Sequence, residues 1–169
     1  GMFQKMVIAD RVSIFVDTVY NNLHAVGTME TVFAAIGFSI QIYCDFAAYS
    51  TIAIGAAKVM GFELMENFDT PYFAASIKEF WRRWHISLSS WFKDYLYIPL
   101  GGNRKGKIRK YFNLMVTFLV SGLWHGASWN YVIWGGLHGI YQVFGEILAP
   151  VRKKLVKVFR VNDGVFSYK

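Results

Sequence analysis

The chain has 169 residues, 54% of them hydrophobic, with a mean hydropathy of +0.29 and a formal net charge of +7. Soluble domains use roughly 45–50% apolar residues and alternate polar with apolar faces, so this composition argues against a soluble domain and for a chain held in a membrane. A single cysteine, Cys44, excludes an internal disulfide and a cysteine-based metal cluster, and its apolar surroundings suggest packing rather than reactivity.

In chain order, hydrophobic spacing predicts a helix over about 3–23 and a long membrane helix over about 29–60. Inside the second lies a 27-residue run, 31–57, whose only charge is Asp45. A carboxylate in lipid marks a functional interior by default, and a structural bond to a neighbouring helix suits it equally well. A loop follows through Glu66-Asn67-Phe68-Asp69-Thr70-Pro71, and then a helix over about 75–95. On that helix positions 81, 84, 85, 88, 91, 92 and 95 share one face, made of Trp, Trp, His, Leu, Trp, Phe and Tyr. Arg82, Ser89, Lys93 and Asp94 lie opposite, so the segment reads as an interfacial helix with aromatic anchors and snorkelling cations. Glu79 with Arg82 or Arg83 reads as a surface pair.

A glycine-rich and basic loop spans 99–106, and after it the 35 residues from Tyr111 to Gly145 contain no Asp, Glu, Lys or Arg. They do contain two histidines, six glycines and three tryptophans. Both apolar runs exceed the roughly 20 residues needed to cross a hydrocarbon core, and neither has the order of a cleavable leader. Basic clusters at 104–110 and 152–160 flank the second run, and such clusters stay on the cytoplasmic side. The chain between them must therefore enter and return, as two short crossings or a re-entrant hairpin, with its break near 122–128. The clusters either fix topology alone or also bind anionic lipid headgroups; flanking membrane segments, they do not suggest nucleic acid. The tail after Pro150 starts as a basic helix and ends near Asn162-Asp163-Gly164. No alternating strand pattern appears, so the expected class is an all-α, polytopic integral membrane protein.

The histidines in the uncharged run need an explanation. His125 and His138 are 13 residues apart, which suggests a haem pair, but thirteen steps of about 100° leave two rings on one helix roughly 220° apart. His138 reads instead as structural or as support for another residue. His125, in Leu123-Trp124-His125-Gly126, is expected to be buried, and a neutral imidazole is the form that can act as a general base. No G-x-S-x-G elbow is present and Cys44 has no basic neighbour in sequence, so a covalent acyl-enzyme is not indicated.

Three strings read together carry a resemblance. Glu79-Phe80-Trp81-Arg82-Arg83-Trp84-His85-Ile86-Ser87-Leu88, then Asp94-Tyr95-Leu96-Tyr97-Ile98-Pro99-Leu100-Gly101-Gly102-Asn103-Arg104, then Leu123-Trp124-His125-Gly126, resemble the membrane-bound O-acyltransferase superfamily, in its bacterial alginate O-acetylation branch. Gln41-Ile42-Tyr43-Cys44-Asp45-Phe46 and Glu66-Asn67-Phe68 extend the likeness over nearly the whole chain. One departure stands out: where the family pattern after Asp45-Phe46 often reads Ser-Gly-Tyr-Ser-Asp, this chain has Ala47-Ala48-Tyr49-Ser50-Thr51, and a carboxylate is missing.

The resemblance implies that residues 1–169 are part of a single membrane domain whose amino-terminal helices and carboxy-terminal end lie outside this sequence. It implies transfer of an acyl group, most simply acetyl, from a cytoplasmic thioester such as acetyl-CoA. The acceptor would be a hydroxyl of an exported polysaccharide, or an extracytoplasmic acetyltransferase partner that passes the group on. It assigns catalysis to His125 and His85, with Asp45, Trp84, Trp124 and His138 as possible support. It leaves Arg104 and Lys105 as possible contacts for a donor phosphate, against the plainer reading of a turn beside topogenic charges. No bound cofactor or metal is implied, and the location is a bacterial cytoplasmic membrane, crossed several times. Two other readings stand beside it: D-alanyl transfer to teichoic acid within the same superfamily, and a channel or transporter whose histidines relay protons.

Overall fold

The computed structural model describes residues 1–158. The end of the basic tail, with Asn162-Asp163-Gly164, lies outside the described residues. Within them the chain consists of helices joined by turns and loops, with one isolated β-bridge between Phe68 and Trp84, and it divides into two compact units, residues 1–67 and 68 onward.

In the first unit a π-helical stretch, Gln4–Ala9, runs into α1, Asp10–Asn21, which packs against the long α2, Thr28–Val59. At about 1.5 Å per residue the 32 residues of α2 span about 48 Å, and α2 is the one helix among the described residues long and apolar enough to cross a membrane. Large apolar side chains on it, such as Phe33, Ile36 and Ile40, point outward. Its buried residues are small: Ala34, Cys44, Ala47, Ala48, Ser50 and Ala57. A methyl group at Gly37 would meet Val16 at 3.2 Å, so small residues here allow the two helices to approach closely, as lipid-embedded helices do where no water drives them together. Asp45 pairs with Lys5 at 2.7 Å, and Lys5 also reaches Asp10 at 2.9 Å. The carboxylate is thus compensated by a cation on a neighbouring helix, the structural alternative raised by the sequence. Gly61, with φ +84°, ends α2: its N–H donates to the Lys58 carbonyl and that of Phe62 to the Ala57 carbonyl, a double closure of the last turn that favours glycine.

In the second unit Pro71–Phe73 forms a short 3-10 turn ahead of α3, Ile77–Arg83. Ser76 accepts a hydrogen bond from the Glu79 backbone N–H at 3.1 Å, while the Glu79 carboxylate accepts from the Ala75 N–H at 2.8 Å. The Ser76 bond is one half of the Ser-x-x-Glu capping box, while the Glu79 carboxylate reaches the N–H one residue before the N-cap. Glu79 also pairs with Arg83 at 2.7 Å.

The single helix expected over 75–95 is not formed. α3 stops at Arg83, Trp84 is extended at φ −108° and ψ 126°, and His85 takes a left-handed conformation at φ 44° and ψ 59° before α4, Ile86–Phe92, begins. The cause is tertiary. The Asp69 N–H donates to the Arg83 carbonyl at 3.0 Å, Trp84 bridges to Phe68, and the Trp84 ring sits among Phe68, Phe80 and Tyr72 at 5.1, 5.5 and 6.2 Å. The aromatic face read along one helix is therefore divided among α3, the joint at Trp84 and His85, α4 and the residues that follow it, with Phe92 buried while Trp91 and Tyr95 are exposed.

A π-helical stretch, Lys93–Tyr97, leads to the glycine turn, where Gly101 and Gly102 have φ values of +112° and +51° that glycine adopts without strain. Buried Asn113 donates to the Gly102 carbonyl at 3.0 Å and holds this turn against α5, Gly106–His125. After three residues α6, Trp129–Val158, returns alongside it. The expected break near 122–128 thus falls at 126–128. It also divides the uncharged run: 111–125 contributes 15 residues to α5 and 129–145 contributes 17 to α6, each short of the roughly 20 of a full crossing.

The α5–α6 seam is made of glycine. A methyl group on Gly122 would lie 2.3 Å from the Tyr131 carbonyl oxygen, one on Gly135 2.3 Å from that of Phe118, and one on Gly139 2.8 Å from the Met115 sulfur. At Gly122 and Gly135 the two backbones touch with no side chain between them.

Candidate active site

The second unit encloses a cavity of about 540 Å³ walled by α3, α4, the π-helical stretch, α5 and α6. His85 and His125 both line it, together with Trp81 and Trp84. Residues separated by 40 positions are brought to one space by two different backbone devices. His85 is carried on the left-handed joint between α3 and α4, and His125 is the last residue of α5. From His125, spacing of three and four residues runs back along α5 through Ser121, Thr117, Phe118, Leu114 and Lys110, all of which line the cavity.

His125 is not buried as the sequence suggested: it is exposed in this chain, because the helix ends at its own position and the link to α6 leaves one side of the ring open. Its ring is held by Trp124 at 5.1 Å, Trp134 at 5.2 Å edge-on and Tyr131 at 6.2 Å stacked. Trp124 stands 6.4 Å from the His85 ring and so touches both histidines' surroundings, although it does not line the cavity. His138 does not line it either. It sits behind Trp134 at 4.7 Å and against Trp81 at 5.0 Å, and its buried Nδ1 has no hydrogen-bond partner, like the buried Trp81 Nε1. Asp45 belongs to the other unit, ion-paired as described. Arg104 and Lys105 are exposed in the glycine turn and do not line this cavity, whereas Asn103 beside them does.

Sequence reading missed the far wall of the cavity. Lys78, Lys110, Gln142 and Glu146 come from three helices. Their one legible signal was the α5 face leading back from His125 to Lys110, and nothing in spacing joins Lys78 on α3 to Glu146 on α6. Glu146 holds both lysines, Lys78 at 3.4 Å and Lys110 in a closer pair.

His85 lies outside the membrane-spanning segments. Burial, and then the neighbouring His125 ring, lower its pKa to about 4, because loss of solvation and a second imidazole both penalise the cation. His85 is therefore neutral at pH 7. An activity that needs the neutral ring would lose it only as pH falls through about 4, not near the ordinary histidine value of about 6.5. The expected profile is flat with respect to His85 from pH 8 to about pH 5. A pH–rate curve whose acid limb shifts from the neutral range in His85→Gln would contradict this.

Among the described residues, then, a helical chain brings two histidines to one cavity, one of them at the end of a glycine-seamed hairpin. The chain belongs to the membrane-bound O-acyltransferase family, whose model matches residues 2–160. It is 50% identical over 88% of its length to a probable alginate O-acetylase of Pseudomonas putida, and 45% identical over 83% to a peptidoglycan O-acetyltransferase of Helicobacter pylori. It is 37% identical over 70% of its length to a teichoic acid D-alanyltransferase of Bacillus subtilis. The chain covers 30%, 27% and 32% of those three relatives, about three tenths of their length.

Proposed function

We propose that this chain carries the catalytic part of a membrane-embedded O-acyltransferase that moves an acyl group, in the first instance acetyl, from a thioester to a hydroxyl of an exported polysaccharide or to an extracytoplasmic partner. The observation that carries the reading is the meeting of His85 and His125 in one cavity. His125 takes the proton from the acceptor hydroxyl as its oxygen attacks the thioester carbonyl. The tetrahedral intermediate collapses with loss of the thiolate, which receives that proton. Acid–base catalysis of this kind contributes about 10²–10⁴-fold. His85, neutral and fixed on a strained joint, orients the acceptor or donates to the developing oxyanion. Trp84 and Trp124 shape the space around the two rings, and His138, behind Trp134, positions His125 from the rear.

The donor is a cytoplasmic thioester, with acetyl-CoA the simplest, and Arg104 and Lys105 remain candidate contacts for its phosphates from the glycine turn. The protein sits in a bacterial cytoplasmic membrane, crosses it several times, and residues 1–169 form part of one such domain. D-alanyl transfer is the second reading, favoured by the 37% likeness to the Bacillus subtilis protein; acetyl transfer is favoured by the 50% likeness to the Pseudomonas putida one. Thioester consumption by the full-length protein decides between them. With candidate polysaccharide present, acetyl-CoA should be consumed faster than without it. Turnover of a D-alanyl carrier thioester alone would select the second reading. Proton flux in liposomes without turnover of either thioester would overturn both.

A further inference from the structure

Beside the candidate active site lies a second cavity, of about 630 Å³, between the start of α3, the first turns of α5 and the far end of α6. Lys78, Lys110, Gln142 and Glu146 line both cavities and so form the partition between them. Beyond the partition, Lys107 and Arg152 add their charge to the same wall. Four cations and one carboxylate thus line this cleft.

Glu146, its side chain 18% exposed, is ion-paired with Lys78 and Lys110. Among the described residues no acidic group is paired with Lys107 or Arg152. One negative charge cannot compensate four positive ones held around a concave space, where low-dielectric walls focus the field and raise the local concentration of anions. The missing counter-charge has a chemical shape. A phosphate offers several strong acceptor oxygens and up to two charges, suited to the planar fork of an arginine together with point-charge lysines. In the partition, Lys78 and Lys110 already hold the carboxylate oxyanion of Glu146.

We propose that this cleft is a binding site for a phosphate-bearing anion, supplied either by an anionic lipid headgroup or by a soluble phosphate ester. Lys107 and Arg152 are its first partners, and Lys78 turns from Glu146 to complete it. Glu146 is then the resident competitor that the phosphate displaces. The site is separate from Arg104 and Lys105, and it does not depend on acyl transfer, because its test reads binding alone.

The full-length protein carrying this chain is purified in detergent and titrated with two probes: fluorescent phosphatidylglycerol, with phosphatidylcholine as the uncharged reference, and adenosine 3′,5′-bisphosphate. The double variant Lys107→Gln with Arg152→Gln should weaken binding by at least about tenfold, as expected when charge-assisted contacts are lost. Both side chains are exposed, so the fold should survive. Arg109→Gln with Lys154→Gln removes the same charge from exposed positions on α5 and α6 outside the cleft and should leave binding unchanged. Glu146→Gln should tighten it. A loss seen with phosphatidylglycerol alone assigns the site to a headgroup, and a loss with the bisphosphate alone assigns it to a soluble ester. Binding of neither probe, equal losses in the two double variants, or unchanged or weaker binding in Glu146→Gln would overturn the proposal.

Discussion

Replacing His125 by alanine in the full-length enzyme should lower acyl transfer by about 10²–10⁴-fold, which is about 3–5 kcal/mol of barrier, while leaving expression and membrane insertion unchanged. The expectation of unchanged stability comes from position. His125 is the last residue of α5, its ring is open on one side, and alanine is the better helix former. A packing residue lost from the same place would show as lower yield or a lower melting temperature instead. His85 needs a different substitution. Its left-handed backbone tolerates asparagine better than alanine, so His85→Asn isolates the imidazole from the joint that carries it, and a smaller loss of activity is expected because water can partly replace an orienting group. Should His125→Ala keep more than about a tenth of wild-type turnover at equal protein level, less than about 1.4 kcal/mol would be involved and the base would have to be sought elsewhere.

The largest effect on stability is expected at the helix seam. In Gly122→Ala or Gly135→Ala the new methyl carbon would meet a backbone carbonyl oxygen at 2.3 Å, and backbone cannot move aside as a flexible side chain can. The helices must separate, at a cost at or above the roughly 1–3 kcal/mol of ordinary overpacking. The separation also draws Trp134 and Tyr131 away from His125, so activity should fall with stability. Gly145→Ala is the control: a methyl there meets nothing within 4 Å, and the substitution should be neutral or stabilising, as glycine-to-alanine is in an open helix. Thermal melting of the purified variants distinguishes the cases. If Gly122→Ala melted with Gly145→Ala, the close approach of the two helices would be wrong.

How far the sequence foretold this arrangement depends on the range of the interactions involved. The turn between α5 and α6 was legible because its cause is local: Gly126, Ala127 and Ser128 interrupt an apolar pattern. The long α2 was legible as a single apolar run, and the Ser76–Glu79 cap, though equally local, was not read. The joint at Trp84 and His85 was not legible. The helical pattern on both sides is good, and the bonds that break it come from Phe68 and Asp69, some 15 residues earlier. The site followed the same division. His85 and His125 were marked by the residues around them, but the lysine–glutamate partition needs three helices to be placed before it exists. The exposure of His125 was misread because an uncharged run suggests burial along its whole length, and only the position of the helix end shows which ring is left open.

The three-residue link between α5 and α6 also bears on the order in which the chain acquires its shape. The entropic cost of closing a loop grows with its length, and here the ends to be joined are almost adjacent. Gly126 meets Tyr131, His125 meets Trp134, and Gly122 meets the Tyr131 carbonyl, all within a dozen residues. Contacts so close in sequence form early and quickly. His125 therefore draws its aromatic neighbours from its own hairpin through contacts of small sequence separation, whereas its meeting with His85 in the cavity requires closure across 40 residues.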